Sequence, residues 1–322
     1  MEVFSDYRKV RLDASVVTIG SFDGLHRGHQ LLLDRVASWS KELRAQAVVL
    51  TFEPHPARYF APELSPRLLQ TTDNKLRALA SMPIDVVVAQ YFNHQFALLS
   101  PDEFVRLVLV EALAVKGIVV GEDFTFGKGR KGTVADLQRL APKYGFAVRI
   151  IPRLAIEGIS ISSTRVRAFL LEGNVKGAAL LLGRPFVLTG TVVTGAGRGR
   201  KLGYRTANIK TDTELLPAMG VYVSWLFWEG NRQGSLGVTN VGVNPTFGPG
   251  SLSVEAHAFG KVGNLVGKRA ALAFLERLRP EKVFSSAKEL VAQIRRDVSV
   301  GKKYGVNHPN VVSIHPLDGV DF

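Results

Sequence analysis

Up to about residue 155, short uninterrupted apolar runs alternate with amphipathic helical patterns, and beyond about Gly183 the alternation stops. "SVVTIG", "QAVVLTF", "DVVVAQYF", "VKGIVVG" and "FAVRIIP" read as strands. Between them, "HQLLLDRVASWSKELRA", "TTDNKLRALASM", "SPDEFVRLVLVEAL" and "TVADLQRLAPKYG" carry helical spacing. Strands that are apolar at almost every position must be covered on both faces, which predicts a parallel sheet between two layers of helices. "SSTRVRAFLLEGNVKGAALLLG" then predicts one or two helices around a Gly-Asn break. After it come Val/Thr/Phe/Trp-rich runs separated by Gly-rich turns, such as "GVYVSWLFWEGNRQGSLGVTNVG". These predict an antiparallel β-barrel, closed by a serine-capped helix in "SSAKELVAQIRRDVSVGKKYG". The expected organisation is an α/β domain over 1–183 followed by an all-β domain over 184–322.

No apolar stretch approaches the ~18 residues of a membrane span, and "MEVFSDYRKVRLD" has no signal-peptide character. The chain has no cysteine, which removes disulfides, thiolate metal sites and cysteine nucleophiles and fits a cytoplasmic protein. Its net charge of +13 suits an anionic ligand: a nucleotide, nucleic acid or a lipid headgroup. Composition does not choose among these.

The choice begins at "GSFDGLHRGHQ", Gly20 to Gln30, where a buried strand gives way to a helix. His26 and His29 share one face of the first helical turn, where free N–H groups and the macrodipole favour an anion. Gly20, Gly24 and Gly28 allow a tight turn and close backbone approach to a ligand. Two imidazole donors placed there can meet phosphate oxygens as charge builds in a transition state. The plain alternative is a polar helix start with turn-forming glycines.

"GSFDGLHRGHQ" resembles the GxFDGxHxGH signature of the nucleotidyltransferase superfamily, and "ISISSTRVR" (Ile159 to Arg167) resembles its ISSTxxR element. "TFEPHP" (Thr51 to Pro56) and "GEDFTFGKGRKG" (Gly121 to Gly132) narrow the resemblance to the adenylyltransferase module of bacterial bifunctional FAD synthetases. The resemblance implies a Rossmann-like N-terminal domain that adenylylates FMN with ATP, releasing pyrophosphate. It implies that His26 and His29 contact the ATP phosphates. Ser162, Ser163, Thr164 and Arg167 would supply a second set of nucleotide contacts, while Phe22 and Asp23 shape the nucleotide pocket. Pro54, Pro56, Phe60, Asp123 and Phe126 lie where the family holds flavin. Asp123 often corresponds to Asn in relatives, and core packing is the alternative for Phe60 and Phe126.

In the second half, "TGAGRGRKLGYRTANIK" places Gly195, Gly197, Gly199 and Gly203 beside Arg198, Arg200 and Lys201. Such a segment can wrap phosphates with backbone amides, although it is not a Walker A loop. A basic turn or an RNA-binding Gly-Arg segment is the alternative. Thr206 and Asn208, two apart on a strand, point the same way, and two neutral oxygens suit Mg²⁺ held mainly by ATP phosphates and water. A lone acid inside an apolar strand, Glu255, is costly to bury without a partner.

"TAN" resembles the PTAN motif of riboflavin kinases, and "NVGVNPTFG", "VEAHAF" and "LRPEKVF" match further segments of that family. The resemblance implies Mg²⁺ at Thr206 and Asn208, Glu255 as general base for the riboflavin 5′-hydroxyl, and Arg279 on the flavin side. Three departures stand out: Arg205 replaces the motif proline, "NLVG" replaces DLYG, and the connection from Glu255 to that segment is short.

The resulting expectation is a cytoplasmic flavin-handling transferase that uses ATP and Mg²⁺ to make FMN from riboflavin and FAD from FMN. An adenylyltransferase with a weakened kinase domain is the second enzyme reading. A nucleic-acid-binding module is the reading from another class. It is disfavoured because there is no RNP-type aromatic motif and no run of alternating basic and aromatic residues. Membrane binding is not expected, and oligomeric state is not legible.

Overall fold

The computed structural model describes residues 1–195, 203–243, 252–260, 262–308, 313, 315 and 318–320. The chain forms two compact units, Met1–Arg67 with Lys75–Ile161 and Leu68–Asn74 with Ser162–Phe322.

The first unit is built on six parallel strands: β1 (Glu2–Phe4), β2 (Ser15–Ile19), β3 (Gln46–Glu53), β4 (Val86–Tyr91), β5 (Val115–Gly121) and β8 (Ala147–Ile151). Their order in the sheet is β1-β4-β3-β2-β5-β8. All five residues of β2 are buried, as an interior strand covered on both faces requires. Helix α1 (Arg27–Leu43) carries the chain from β2 to β3 and buries Leu33, Val36 and Trp39. It ends at Arg44 in a left-handed conformation. Between β3 and β4 come α2 (Pro56–Phe60) and α3 (Thr72–Ala80), and the division between units falls within α3. After α4 (His94–Ala97), α5 (Pro101–Glu103) starts with a capping box between Ser100 and Glu103. It continues as wider turns over Phe104–Ala112. A hairpin of β6 (Thr125–Phe126) and β7 (Gly132–Thr133) precedes α6 (Val134–Tyr144), and β9 (Ala155–Ile156) pairs with β10 (Ile159–Ser160).

The chain moves from β2 outward through β3 and β4, then returns to the other side of β2 to lay down β5 and β8. The strand order therefore reverses between β2 and β5, and the crevice outside their carboxyl ends is where such sheets bind ligands. The histidine turn follows the carboxyl end of β2.

In the second unit, α7 (Ser163–Leu171) and α8 (Val175–Leu182) are the two expected helices, separated by Gly173 and the N-cap Asn174. Six strands close an antiparallel barrel: β11 (Phe186–Val193), β12 (Ala207–Thr211), β13 (Gly220–Trp228), β14 (Asn231–Val243), β15 (Leu252–Ala258) and β16 (Arg269–Pro280). Their order is β11-β12-β15-β14-β13-β16. Closure leaves no open sheet edge to protect. Helix α9 (Ala287–Asn307), capped by Ser286, packs on β14. The seven residues Leu68–Asn74 belong to this unit: Leu68 N–H bonds Glu214, and Asn74 Nδ2 donates to Thr189 Oγ1 at 2.9 Å in a buried contact.

Candidate active sites

His26 is the N-cap of α1, and its Nδ1 accepts the backbone N–H of His29 at 3.2 Å. That bond fixes Nδ1 as an acceptor, so a neutral His26 carries its proton on Nε2. The two imidazoles stack with centroids 3.6 Å apart and planes 16° apart. Phe22 backs His29 at 5.0 Å and is fully buried, so it packs behind the histidine rather than lining a surface. The turn is tight: Gly24 has φ of 81°, and the non-glycine residues Phe22 and Leu25 also take left-handed φ of 51° and 42°. Such conformations persist only where surrounding structure fixes them, and they cluster at ligand sites. A Cβ at Gly28 would lie 3.3 Å from the His26 ring, so the glycine gives that ring its place. Gly20 likewise faces the Phe22 ring. Asp23 is buried.

Burial, then His26, then the Lys75 ammonium hold His29 well below the ordinary imidazole value. His29 Nδ1 is covered and has no hydrogen-bond partner among the described residues. The neutral tautomer with its proton on Nε2 leaves only a lone pair at that covered position, whereas an imidazolium would bury an unpaired N–H.

The segments placed at the flavin side by resemblance separate by exposure. Pro54 follows a cis peptide bond, and Pro56 opens α2, which His55 caps through Nδ1. Phe60 is 61% exposed and meets Tyr59 and Phe92 edge-on at 5.1 and 5.7 Å, forming an accessible aromatic cluster. Phe126 is 5% exposed, within the core between Phe104 and Phe124. Its part is packing, and the stacked, half-buried Phe124 carries the accessible ring of this hairpin. Asp123 is exposed, and Arg153 binds its carboxylate at 2.9 Å, which offsets the charge that separates Asp from Asn here.

Ser162, Ser163, Thr164 and Arg167 lie on the first turns of α7, in the second unit; Ser162 Oγ is the N-cap and accepts from Arg165 N–H.

The barrel holds a cavity of about 620 Å³ lined by Gly195, Gly203, Arg205, Thr206, Asn208, His257 and Asn264, among others. Asn208 is 8% exposed and its Oδ1 is buried without a hydrogen-bond partner among the described residues. A Cβ at Gly195 would lie 2.1 Å from Asn208 Nδ2, so any larger residue there would push that amide from its place. In register, Glu255 pairs with Asn208 on β12 and with Asn240 on β14, putting the three side chains on one face. Arg205 contributes its carbonyl, which accepts from His257 Nδ1 at 2.8 Å. Proline also has a carbonyl, so the contact does not depend on which residue stands at 205. Asn264 of the "NLVG" segment caps its own turn through Val266 N–H beside the same cavity. Gly197, Gly199 and Lys201 lie outside the described residues. Arg279 meets the Asp297 carboxylate through Nε and Nη2 at 3.1 and 2.8 Å. Its guanidinium is thus engaged by α9.

The orphaned Asn208 oxygen, with Thr206 two residues before it, is a hard, neutral donor set that fits a divalent cation carried by phosphates. Among the described residues no cluster of three His, Cys, Asp or Glu could hold a metal by itself.

Sequence reasoning missed Lys75, His257, the Tyr59–Phe92 partners of Phe60, and Arg153. Lys75 had a signal: it sits three and four residues before the buried Ala78 and Leu79, on the inward face of α3.

Two family models match: FAD synthetase over residues 9–165 and riboflavin kinase over 182–305. A bifunctional riboflavin kinase/FMN adenylyltransferase of Escherichia coli is 36% identical over 298 residues, covering 92% of this chain and 95% of the relative. One from Pseudomonas fluorescens is 37% identical, covering 89% and 92%. A crystal structure from Streptococcus pneumoniae, described as a macrolide-efflux protein, superposes with a TM-score of 0.83 at 32% identity, covering 93% and 98%. Among the described residues of this chain, no helix is long and apolar enough to cross a membrane.

Proposed function

Because the chain belongs to the bifunctional riboflavin kinase/FMN adenylyltransferase family, we propose that the two halves make FAD in sequence. Riboflavin and ATP give FMN and ADP; FMN and ATP give FAD and pyrophosphate. The observation that carries this is the presence of both family domains in one chain, similar across nine-tenths of its length to enzymes named for both reactions.

In adenylyl transfer an FMN phosphate oxygen attacks the α-phosphorus of ATP, and the bond to the bridging oxygen breaks as pyrophosphate leaves. No protein nucleophile is needed, so catalysis is positioning and charge stabilisation. His26 and His29 meet the phosphates as donors from the α1 N-terminus, with Gly20, Gly24 and Gly28 admitting them closely. Asp23, Ser162, Ser163, Thr164 and Arg167 take part in nucleotide binding. Pro54, Pro56, Phe60, Phe124 and Asp123 form the flavin side, its isoalloxazine ring meeting the exposed aromatic edges.

In phosphorylation the riboflavin 5′-oxygen attacks the γ-phosphorus, and its proton passes to Glu255. Gly195, Gly197, Gly199, Lys201 and Gly203 are the nucleotide-binding residues of this reading. Thr206 and Asn208 would hold Mg²⁺, which when bound supplies charge to offset that of the phosphates. Asn208 holds its oxygen ready through Gly195, and Arg279 organises the flavin side together with Asp297.

The functional boundary falls at Gly183, where α8 ends in a left-handed glycine before β11. The enzyme works in the cytoplasm, with small molecules rather than nucleic acid or membrane as its partners. A weakened kinase is not favoured, since the feature used at Arg205 is a carbonyl.

Chromatography of products after incubation with riboflavin, ATP and Mg²⁺ tests this. FMN and FAD together are expected. Riboflavin left untouched while supplied FMN becomes FAD would restore the weakened-kinase reading.

A further inference from the structure

Lys75 is absent from every motif that brought the first site to light, yet its ammonium reaches the start of the turn that carries the two histidines. Its side chain is only 10% exposed. Its Nζ lies 3.4 Å from Thr51 Oγ1, 3.5 Å from the Ser21 carbonyl and 3.9 Å from a Glu53 carboxylate oxygen. Thr51 Oγ1 donates to the same Ser21 carbonyl at 3.2 Å, so the three groups close on one another. Thr51 and Glu53 end β3, and Ser21 opens the turn that contains the left-handed Phe22, Gly24 and Leu25. A buried ammonium is costly unless it is paired, and a lysine so covered is poorly placed as a flexible surface phosphate clamp.

Resting on the site assignment above, we infer that Lys75 is a positioning residue for adenylyl transfer. It ties the strained β2–α1 turn to the end of β3 and sets a positive charge beside that turn. The charge has a chemical consequence. Burial lowers the Lys75 value while Glu53 and Asp23 oppose that loss, and the ammonium in turn disfavours a proton on His29. The groups acting on His29 are His26 beside it on α1 and Lys75 from α3; Asp23 from the turn and Glu53 from β3 act on Lys75. A His29 kept neutral presents one N–H donor whose bond to phosphate strengthens as negative charge develops.

The test uses the full chain and follows FAD formation from supplied FMN and ATP between pH 5 and 8, with riboflavin phosphorylation as an internal control. Lys75→Met is expected to slow adenylyl transfer by ~10- to 100-fold. Its acid limb should move to higher pH, because His29 gains a proton more readily without the neighbouring cation. Phosphorylation is expected to be unchanged. Lys75→Arg should restore most of the rate and the original limb. Lys75→Gln can still hydrogen-bond the Ser21 carbonyl but carries no charge, so it should shift the limb even if the Met variant folds poorly. Equal rate losses in Arg, Gln and Met variants with no movement of the limb would reduce Lys75 to packing and overturn the inference. So would wild-type rates in Lys75→Met. His29→Ala in the same series separates the two claims: if it loses adenylyl transfer while Lys75→Met does not, the histidine site stands and only Lys75 falls. If His29→Ala keeps full activity, the site assignment fails and the inference with it.

Discussion

At the end of β2, the groups of the candidate anion site are tethered to each other: buried His26 accepts from half-buried His29, the rings stack, and fully buried Phe22 lies behind them. In the barrel, Asn208 keeps an oxygen without a partner among the described residues, Glu255 stands between two asparagines, and the cavity is lined mostly by small residues. The first site carries its electrostatics in the protein, through a helix N-terminus and fixed imidazoles. The second, in the function proposed above, would receive charge from outside, from a cation arriving with the nucleotide. A preorganised site is broken by altering its side chains. A site that borrows its charge is also broken by altering the backbone that holds the binding oxygen.

The largest expected effect tests whether the two sites work independently. Glu255→Ala should cut FMN formation by ~10³-fold if Glu255 is the general base proposed above, while FAD formation from supplied FMN stays within about twofold. Product chromatography with each substrate reads both, and parallel loss of both activities would break the comparison. His29→Ala should do the reverse, lowering adenylyl transfer by ~10²-fold or more with phosphorylation intact. Gly195→Ala sharpens the contrast. Its methyl group would displace the Asn208 amide, so phosphorylation should fall by ~10-fold and need more Mg²⁺ for half-maximal rate. An unchanged Mg²⁺ requirement would separate Asn208 from the metal.

The smallest effect concerns pH. His29 is held below its ordinary value in the folded protein, so below about pH 6.5 the unfolded chain binds a proton that the native ring refuses. Its contribution to stability is therefore complete above that pH and declines as pH falls toward the lowered native value. Urea melts from pH 7.5 to 5.5 should show a shallower decline in His29→Gln than in the parent protein. Identical slopes would mean that the native ring titrates normally.

The sheet, the barrel and the glycine-rich turn before α1 were legible because periodicity and turn chemistry are local. The histidine turn was legible because its spacing and its place after a buried strand are local too. Exposure was not. Phe60 and Phe126 look alike in the sequence, yet one is open to solvent and the other sits between two phenylalanines in the core. Arg279 and Asp297 are 18 positions apart, so nothing short-range announced that the arginine's fork is taken. Lys75 and Arg153 acquire their partners from segments some 22 to 54 and 30 positions away, so a linear pattern shows at most that Lys75 faces inward, not what it meets.

The seven residues Leu68–Asn74 have a consequence for anyone who separates the two activities by cutting the gene. The folded second unit is not contiguous in the chain, so a fragment beginning at residue 184 leaves part of its own body behind. Thr189, 3% exposed, loses the amide of Asn74, and Glu214 loses the N–H of Leu68. The helices α7 and α8 are lost with them, stripping the lysine from the Lys176–Glu276 pair and the carbonyl of Glu172 from Arg277. A break that respects catalytic function is thus not one that respects the folded body, and an isolated kinase fragment would begin life with exposed seams that the intact polypeptide never shows.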